Sequence, residues 1–210
     1  MKMAALILAA GKSARFDGCK LLADVKGLPL LQRTIMTAEA VCPGEVFVVT
    51  GAWHQQINHA QHAGQITEVP LLFNPQWSKG MGCSLALGVA ELADDYEAIL
   101  VMLADQVQLG SNDLLQLTDL FNGGNIVCSE YANQPGVPAI FPRPLFQQLM
   151  QLTGDQGAKN ILTNSPLAVV RCPLPAAELD IDSREQLAQW LRQTERFSPL
   201  KVPTDESCRS

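Results

Sequence analysis

The sequence predicts an α/β fold in which a mostly parallel central sheet carries helices on both faces. Short apolar runs alternate with segments of helical period along most of the chain, an order typical of consecutive βαβ units. The runs 46–50 (VFVVT) and 98–104 (AILVMLA) are almost continuously apolar, as expected of strands buried on both faces. The length of 210 residues predicts one domain, which we place at 1–197, and the polar segment 198–210 is expected to be a flexible tail.

Each element follows from its local pattern. The predicted strands are short runs rich in aliphatic residues: 6–10, 46–50, 69–73, 98–104, 126–128, 137–141 and 168–172. The predicted helices repeat apolar residues every three or four positions or carry helix-start signals: 29–41, 54–63, 84–93, 114–121, 144–152, 156–162 and 183–196. Ser111 or Asn112 is expected to cap the fourth helix, and Ser183 with Gln186 predicts a capping box on the last one.

Composition excludes several classes of function. The formal net charge of −6 leaves no broad basic face for nucleic acid, and no apolar run reaches the roughly 18 residues that a membrane span requires. The 6 cysteines are too widely spaced for a metal pair or a disulfide framework, so we expect reduced thiols and a cytoplasmic protein. His54, His59 and His62 are interpreted as a solvated helix face, because their spacing is not that of a zinc motif.

The loop after the first strand combines small residues with positive charge. Positions 9–11 (AAG) allow a ligand to approach the backbone closely. Lys12, Arg15 and Lys20 lie within the next nine residues, which is a dense cluster of positive charge for a chain with 15 Lys and Arg in total. Free N–H groups of a turn together with cations form a phosphate cradle, whereas an ordinary loop with solvated cations is the alternative. Neither the Walker pattern nor G-x-G-x-x-G is present, which makes a dinucleotide-dependent dehydrogenase a weak hypothesis.

The strings LAAGKSARFDGCKLL and GLPLL resemble the signature of the sugar-phosphate nucleotidyltransferase superfamily. The Ala-Ala form resembles the molybdenum cofactor cytidylyltransferase branch of its MobA-like members, although Phe16-Asp17-Gly18 stands where they commonly have Met-Gly. The resemblance implies a three-layer, Rossmann-like nucleotidyltransferase fold whose first loop wraps a nucleoside triphosphate. It assigns nucleotide binding to Leu8, Ala9, Ala10, Gly11, Lys12 and Ser13, and catalytic contacts with the phosphates to Arg15 and Lys20.

A second glycine-containing string, NPQWSKGMGCSLALG, starts at Asn74. Its two glycines permit unusual backbone conformations and close ligand approach, and Ser84 is expected to cap the helix that follows. A glycine turn with a serine cap and no ligand is the alternative. The string resembles the NPxWxxGMGxSLxxG element of the cytidylyltransferase branch. That resemblance implies that Gly80, Met81, Gly82 and Ser84 contact the base and ribose.

Two acidic segments are candidate metal ligands. Asp105 follows the most apolar strand, where a carboxylate is well placed to hold Mg²⁺ against phosphate oxygens, or else to cap the next element. The string LADQV resembles the family's L-x-D-Q-P, with Val107 in place of the proline, and DIDSREQL resembles a second motif. The resemblance implies that Asp105 and Asp182 bind Mg²⁺ or Mn²⁺ and that Asp180 supports them.

The acceptor side is predicted from two further segments. The string GVPAIF at 136–141 resembles an element that usually reads GHPVLF, with Val137 in place of the histidine, and GDQGAK resembles G-D-x-G-A-[RK]. In the family these segments border a pterin phosphate. The acceptor candidates are Gly136, Pro138, Asp155, Lys159 and Asp180, with a solvated helix lysine as the alternative for Lys159.

The resemblance implies transfer of CMP from CTP to a phosphate monoester, molybdopterin cofactor, with release of pyrophosphate. A molybdoenzyme that receives the product is then a partner, and neither nucleic acid nor a membrane is expected. Because the attacking phosphate is already anionic, no general base is needed, and alignment with charge neutralisation supplies the catalysis. The alternatives are a guanylyl- or sugar-phosphate nucleotidyltransferase on the same fold, and a non-catalytic carrier of nucleotide or cofactor.

Overall fold

The computed structural model describes residues 1–196, so the predicted tail at 198–210 lies outside the described residues. The strands are β1 (Met3–Ala9), β2 (Asp24–Val25), β3 (Leu28–Pro29), β4 (Val46–Thr50), β5 (Leu71–Phe73), β6 (Ala98–Leu103), β7 (Ile126–Tyr131), β8 (Gln134–Pro142) and β9 (Val169–Pro173). The helices are α1 (Leu30–Glu39), α2 (His54–His62), α3 (Met81–Leu92), α4 (Ser111–Leu120), α5 (Phe146–Met150), α6 (Lys159–Asn164) and α7 (Arg184–Arg196). Short 3₁₀ helices lie at Lys20–Leu22, Trp77–Lys79, Arg143–Leu145 and Pro175–Ala177.

A seven-stranded sheet runs in the order β5-β4-β1-β6-β8-β7-β9, and β2 pairs with β3 separately. The pairs β1–β4, β1–β6, β4–β5 and β7–β9 are parallel, whereas β8 is antiparallel to both β6 and β7. This arrangement confirms the predicted α/β fold with a mostly parallel sheet. The carboxyl ends of β1, β4, β5 and β6 therefore share one edge of the sheet, where ligands of such folds bind.

Helices cover the sheet on both faces because alternate side chains of each strand point in opposite directions. Ala5 and Ile7 of β1 pack with α1, α2 and α4, whereas Leu6 and Leu8 pack with α3, α5 and α6. A third buried group, the terminal cluster, joins the start of the chain to its last helix. It consists of Phe16, Val25, Leu30, Val107, Ile181, Leu187 and Trp190.

Several predicted helix starts are wrong. The third helix begins at Met81, so Ser84 is not its cap but a buried residue whose Oγ accepts a hydrogen bond from Asn74 Nδ2 at 2.9 Å. The fourth helix begins at Ser111 with Gly110 at the N-cap, and the Gly110 N–H donates to Asp113 Oδ2 at 2.8 Å. Both helices start earlier than predicted because other groups accept hydrogen bonds from the free N–H groups at their starts. The Gly154 carbonyl accepts from Gly82 in α3, and the Asp113 carboxylate accepts from Gly110 before α4.

The capping box at the last helix is confirmed: the Gln186 N–H donates to Ser183 Oγ at 3.2 Å, and the Ser183 N–H donates to Gln186 Oε1 at 3.1 Å. The expectation of a solvated helix face is wrong for His54, whose Nδ1 lies 2.8 Å from Thr50 Oγ1 and whose ring packs on Phe73. His59 and His62 are exposed as expected. Within residues 1–196 no helix combines the length and the hydropathy that crossing a bilayer would need.

Candidate active site

A cavity of about 500 Å³ opens at the carboxyl ends of β1 and β6. Two loops form about half of its wall: the first loop, residues 10–23, and the second loop, residues 74–80. Most of the sequence-predicted nucleotide and metal residues line it, namely Leu8, Ala9, Ala10, Gly11, Lys12, Ser13, Arg15, Lys20, Gly80, Met81, Ser84, Asp105 and Asp182. Gly82 is the predicted nucleotide residue that the lining does not include.

Lys20 stands between the two predicted metal carboxylates. Its Nζ donates to Asp105 Oδ2 at 2.5 Å and to the Ile181 carbonyl at 2.9 Å, and it lies 3.5 Å from Asp182 Oδ1. The Lys20 side chain is only 12% exposed, so this contact is weakly screened by solvent. The structure therefore brings the end of β6, the segment before α7 and the first loop together around one buried cation.

Arg15 approaches the same site from the solvent side. Its Nη2 lies 2.7 Å from Asp182 Oδ2, while 73% of its side chain is exposed. The two oxygens of Asp182 thus face two different cations. Both cations belong to the loop that we predicted to contact phosphates.

Two contacts fix the first loop from outside. Arg184, at the start of α7, donates to the carbonyls of Phe16 and Asp17, each at 3.0 Å, and its guanidinium lies over the Phe16 ring. Trp53 Nε1 donates to the Lys12 carbonyl at 2.9 Å. The loop is held in this shape although Ser13 and Asp17 have positive φ values of 54° and 53°, a region that L residues rarely adopt.

Asp180 is a third carboxylate beside Asp105 and Asp182. Partial removal of its carboxyl from water raises its pKa from 3.8 to about 6, and the negative charges of Asp105 and Asp182 act in the same direction. Lys20 opposes the shift but does not cancel it. The negative charge of the three carboxylates is therefore not fully balanced by Lys20.

The second loop is packed against a distant part of the chain. Gly80 has a φ of 114°, and a Cβ built on it would lie 2.3 Å from the carbonyl carbon of Gly154. The Gly82 N–H donates to the Gly154 carbonyl at 2.8 Å, and a Cβ there would lie 2.6 Å from the Gln156 carbonyl oxygen. We predicted that a ligand would approach these two glycines closely. The backbone around Gly154 occupies that space instead.

The predicted acceptor residues do not all meet at the cavity. Asp155 lines it, next to Gly80, whereas Gly136, Pro138, Lys159 and Asp180 are absent from its lining. Gly136 is instead covered by the Tyr131 ring, and the burial of that phenol together with the charges of Asp180 and Glu178 raises its pKa. The predicted acceptor segments therefore do not converge at this cavity.

Sequence reasoning missed part of the wall and two of its supports. Ala14, Leu21, Trp77, Ser78, Leu103 and Ala104 also line the cavity. Their positions inside the matched motifs, or next to them, were the available signal. Gln106 and Arg184 also lie inside matched strings, but the strings give no indication of their contacts, because a polar residue reveals its distant partner only in the fold.

A sequence model of the MobA-like NTP transferase domain matches residues 5–169. The chain belongs to this family. The resemblance read from the first loop is thereby confirmed, and nucleotidyl transfer is the activity that the family supports. No curated protein matches the sequence significantly.

Several solved structures have folds similar to this one. Rv0371c from Mycobacterium tuberculosis superposes with a TM-score of 0.78 at 22% identity, over 91% of this chain and 98% of that one. A nucleotidyl transferase from Methanothermobacter gives 0.76 at 18% identity, over 94% and 99%. Molybdopterin-guanine dinucleotide biosynthesis protein A from Archaeoglobus fulgidus gives 0.64 at 16% identity, over 92% and 100%. Rv0371c has also been solved in complex with manganese.

The terminal cluster accounts for two departures from the family signature. Phe16, in the unusual Phe-Asp-Gly segment, and Val107, which replaces a proline, are both buried there beside Ile181. An apolar side chain at each position fills the same small core. The third departure, Val137, lies near the start of β8, where its carbonyl accepts a hydrogen bond from Gln106 Nε2 and its side chain packs against the core that covers one face of the sheet.

Proposed function

We propose that the protein transfers CMP from CTP to a phosphorylated acceptor, molybdopterin cofactor, and releases pyrophosphate. The observation that carries this proposal is the convergence of Lys20 and Arg15 with Asp105 and Asp182 at one cavity. Two cations can neutralise a triphosphate there, while two carboxylates from distant segments can hold its metal ion.

The donor set suits a hard divalent cation. Carboxylate oxygens are the ligands that Mg²⁺ and Mn²⁺ prefer, and Lys20 Nζ shows that the space between Asp105 and Asp182 accepts a positive charge. Asp105 and Asp182 would hold the ion, with Asp180 supporting them. When bound, the ion supplies neutralisation of phosphate charge and orients the reacting oxygens.

The chain's own residues would do the rest by alignment. The first loop offers its backbone N–H groups to the β- and γ-phosphates, and Gly11 leaves open space where they would lie. An oxygen of the acceptor phosphate forms a bond to the α-phosphorus, and the bond from that phosphorus to the β-phosphate bridging oxygen breaks. The electron pair leaves with pyrophosphate, and Lys20 offsets the charge that develops on the α-phosphate oxygens.

Specificity for CTP and molybdopterin is proposed from the motifs. The second loop resembles the cytidylyltransferase branch, as does the Ala-Ala form of the first loop. A guanylyltransferase is the second candidate, because a protein of molybdopterin-guanine dinucleotide biosynthesis shares the fold. A molybdoenzyme that takes up the product is the proposed partner.

Pyrophosphate release with each of the four nucleoside triphosphates, in Mg²⁺ or Mn²⁺ and with molybdopterin as acceptor, tests the proposal. We expect turnover with CTP to exceed turnover with GTP, and Asp105→Asn to abolish it. Faster turnover with GTP would favour the second candidate. Nucleotide binding without pyrophosphate release would identify a carrier and end the proposal.

A further inference from the structure

Gln106 is buried directly behind the candidate metal site. It follows Asp105 in the chain, and only 4% of its surface is exposed. Its Nε2 donates two hydrogen bonds of 2.8 Å each, one to the Val137 carbonyl and one to the Ala177 carbonyl. A single side-chain nitrogen thus contacts two segments that are far away in sequence.

One segment belongs to β8, which pairs with β6, and the other leads to the second metal carboxylate. Val137 lies near the start of β8, and Ala177 ends the short 3₁₀ helix that leads to Asp180 and Asp182. The backbone makes the same connection: Gln106 pairs with Asp180 in an isolated antiparallel bridge, and the Ile181 N–H donates to the Asp105 carbonyl at 3.2 Å. The spacing between Asp105 and Asp182 therefore depends on how this junction is held.

The choice of glutamine carries a cost in stability. Its Oε1 is buried and finds no hydrogen-bond partner among the residues that the structure describes. Leaving a buried acceptor unpaired is unfavourable, and an apolar side chain of similar volume would avoid it. What the apolar side chain could not provide is an uncharged nitrogen with two donors at this reach. The side-chain amide of Gln106 therefore serves to hold these two segments together.

We propose that Gln106 is a positioning residue that sets the separation of the metal carboxylates. This inference rests on the proposed function, since it concerns the same metal site. Gln106 itself touches neither the cavity nor the reacting groups. It ties the end of β6 to the segment before α7, so that Asp105 and Asp182 face a common point before any ligand arrives.

The variant Gln106→Met tests this role in the full-length protein, because it keeps the side-chain volume and removes both donors. We expect the affinity for Mn²⁺, measured by paramagnetic resonance in the presence of a non-hydrolysable CTP analogue, to fall by about tenfold or more. We expect kcat to fall to a similar extent, while KM for CTP changes by less than about twofold. The melting temperature should fall as well, because the Val137 and Ala177 carbonyls lose their shared donor, so the comparison with a control that is destabilised elsewhere decides the test.

Gln32→Met is the matched control. Gln32 is also a buried glutamine, whose Nε2 donates to Thr67 Oγ1 at 2.9 Å and whose Oε1 accepts from the Thr67 N–H at 2.6 Å. It lies on α1, outside the cavity lining. We expect this variant to melt at a lower temperature and to bind Mn²⁺ with unchanged affinity.

Unchanged Mn²⁺ affinity and kcat in Gln106→Met, with a wild-type protein that binds the metal and turns over, would overturn the inference and leave the proposed function standing. A wild-type protein that neither binds Mn²⁺ with nucleotide nor releases pyrophosphate would overturn the proposed function first. If Gln106→Met does not fold, Gln106→Asn replaces it, because it keeps the amide but shortens its reach by one methylene. Wild-type metal affinity in that variant would contradict the role equally.

Discussion

The two glycine-containing loops border the same cavity, yet their glycines face different things. Gly11, in the first loop, has no atom within 4 Å of a Cβ built on it, whereas Gly80, in the second loop, meets the Gly154 backbone at 2.3 Å. The first loop carries Arg15 and Lys20 to the carboxylates, whereas Lys79, the cation of the second loop, donates to the neutral side chain of Gln76. The comparison teaches that a glycine in a nucleotide motif can serve either the ligand or the scaffold.

The largest effect is expected for Lys20→Met in the first loop. Loss of its charge should lower kcat by about 10²–10³-fold and weaken nucleotide binding far less, because the charge acts mainly as the transition state forms. The same change should strengthen the binding of free Mn²⁺, since Asp105 loses a competing ammonium at 2.5 Å. Pyrophosphate release and paramagnetic resonance measure the two effects.

Lys79→Met is the control for that variant, since it removes a lysine from the second loop without touching a carboxylate. We expect near wild-type turnover from it. An equal loss of turnover in both variants, or unchanged turnover in Lys20→Met, would contradict the proposal that only the first loop supplies a cation to the reaction.

The next largest effect is expected for Gly80→Ala. A methyl group would collide with the Gly154 carbonyl at a backbone φ of 114°, so the free energy of unfolding should fall by about 2–4 kcal/mol. Urea unfolding measures it. Gly44→Ala is the control, because Gly44 also has positive φ, 73°, but open space around it, which predicts a loss of only about 1 kcal/mol. Equal losses would show that conformation, and not packing, requires the glycine at position 80.

A smaller effect is expected for Gly11→Ala. The free energy of unfolding should change by less than about 0.5 kcal/mol, because the methyl group meets nothing in the protein. The affinity for CTP should fall by about tenfold, since the methyl group occupies space that the phosphates need. Calorimetry with CTP measures the loss. Wild-type affinity would show that the open side of Gly11 is not part of the nucleotide site.

The smallest effect is expected for Asp180, which belongs to neither glycine-containing loop. Because folding raises the pKa of this carboxyl from 3.8 to about 6, its ionisation destabilises the folded protein as the pH rises through that window. Asp180→Asn removes this loss, so the metal-free variant should gain stability over the wild type between pH 4 and pH 7. The gain should be about 1 kcal/mol or less, given solvent screening. Urea unfolding at both pH values measures it, and a gain that is equal at both would contradict the pKa shift.

The sequence was most informative where the pattern is local. β4 and β6 could be predicted because their apolar runs have no other satisfactory environment than a covered sheet. The reversal at β8 could not, because it depends on a tight turn at Ala132 and Asn133, both with positive φ, and alanine does not favour that conformation. The start of α3 was misplaced because Ser84, a good capping residue, is used in the interior instead.

The candidate site divides in the same way. Asp105 and Asp182 could be named because each belongs to a recognisable string, and the fold brings both to Lys20. The contacts of Gln106 and Arg184 could not be predicted, because their partners lie 71 and 168 residues away. Distances along the chain of this size leave no local pattern, so only packing reveals such contacts.

The family match ends at residue 169, before Asp182 and Arg184. A protein shortened at that boundary would keep both glycine loops, yet it would lose the second carboxylate that faces Lys20 and the guanidinium that holds the first loop. A survey of genomes confined to the matched stretch would count such shortened proteins as equal to the full-length chain. The segment from Asp182 into the last helix is the part by which members of the family should be sorted.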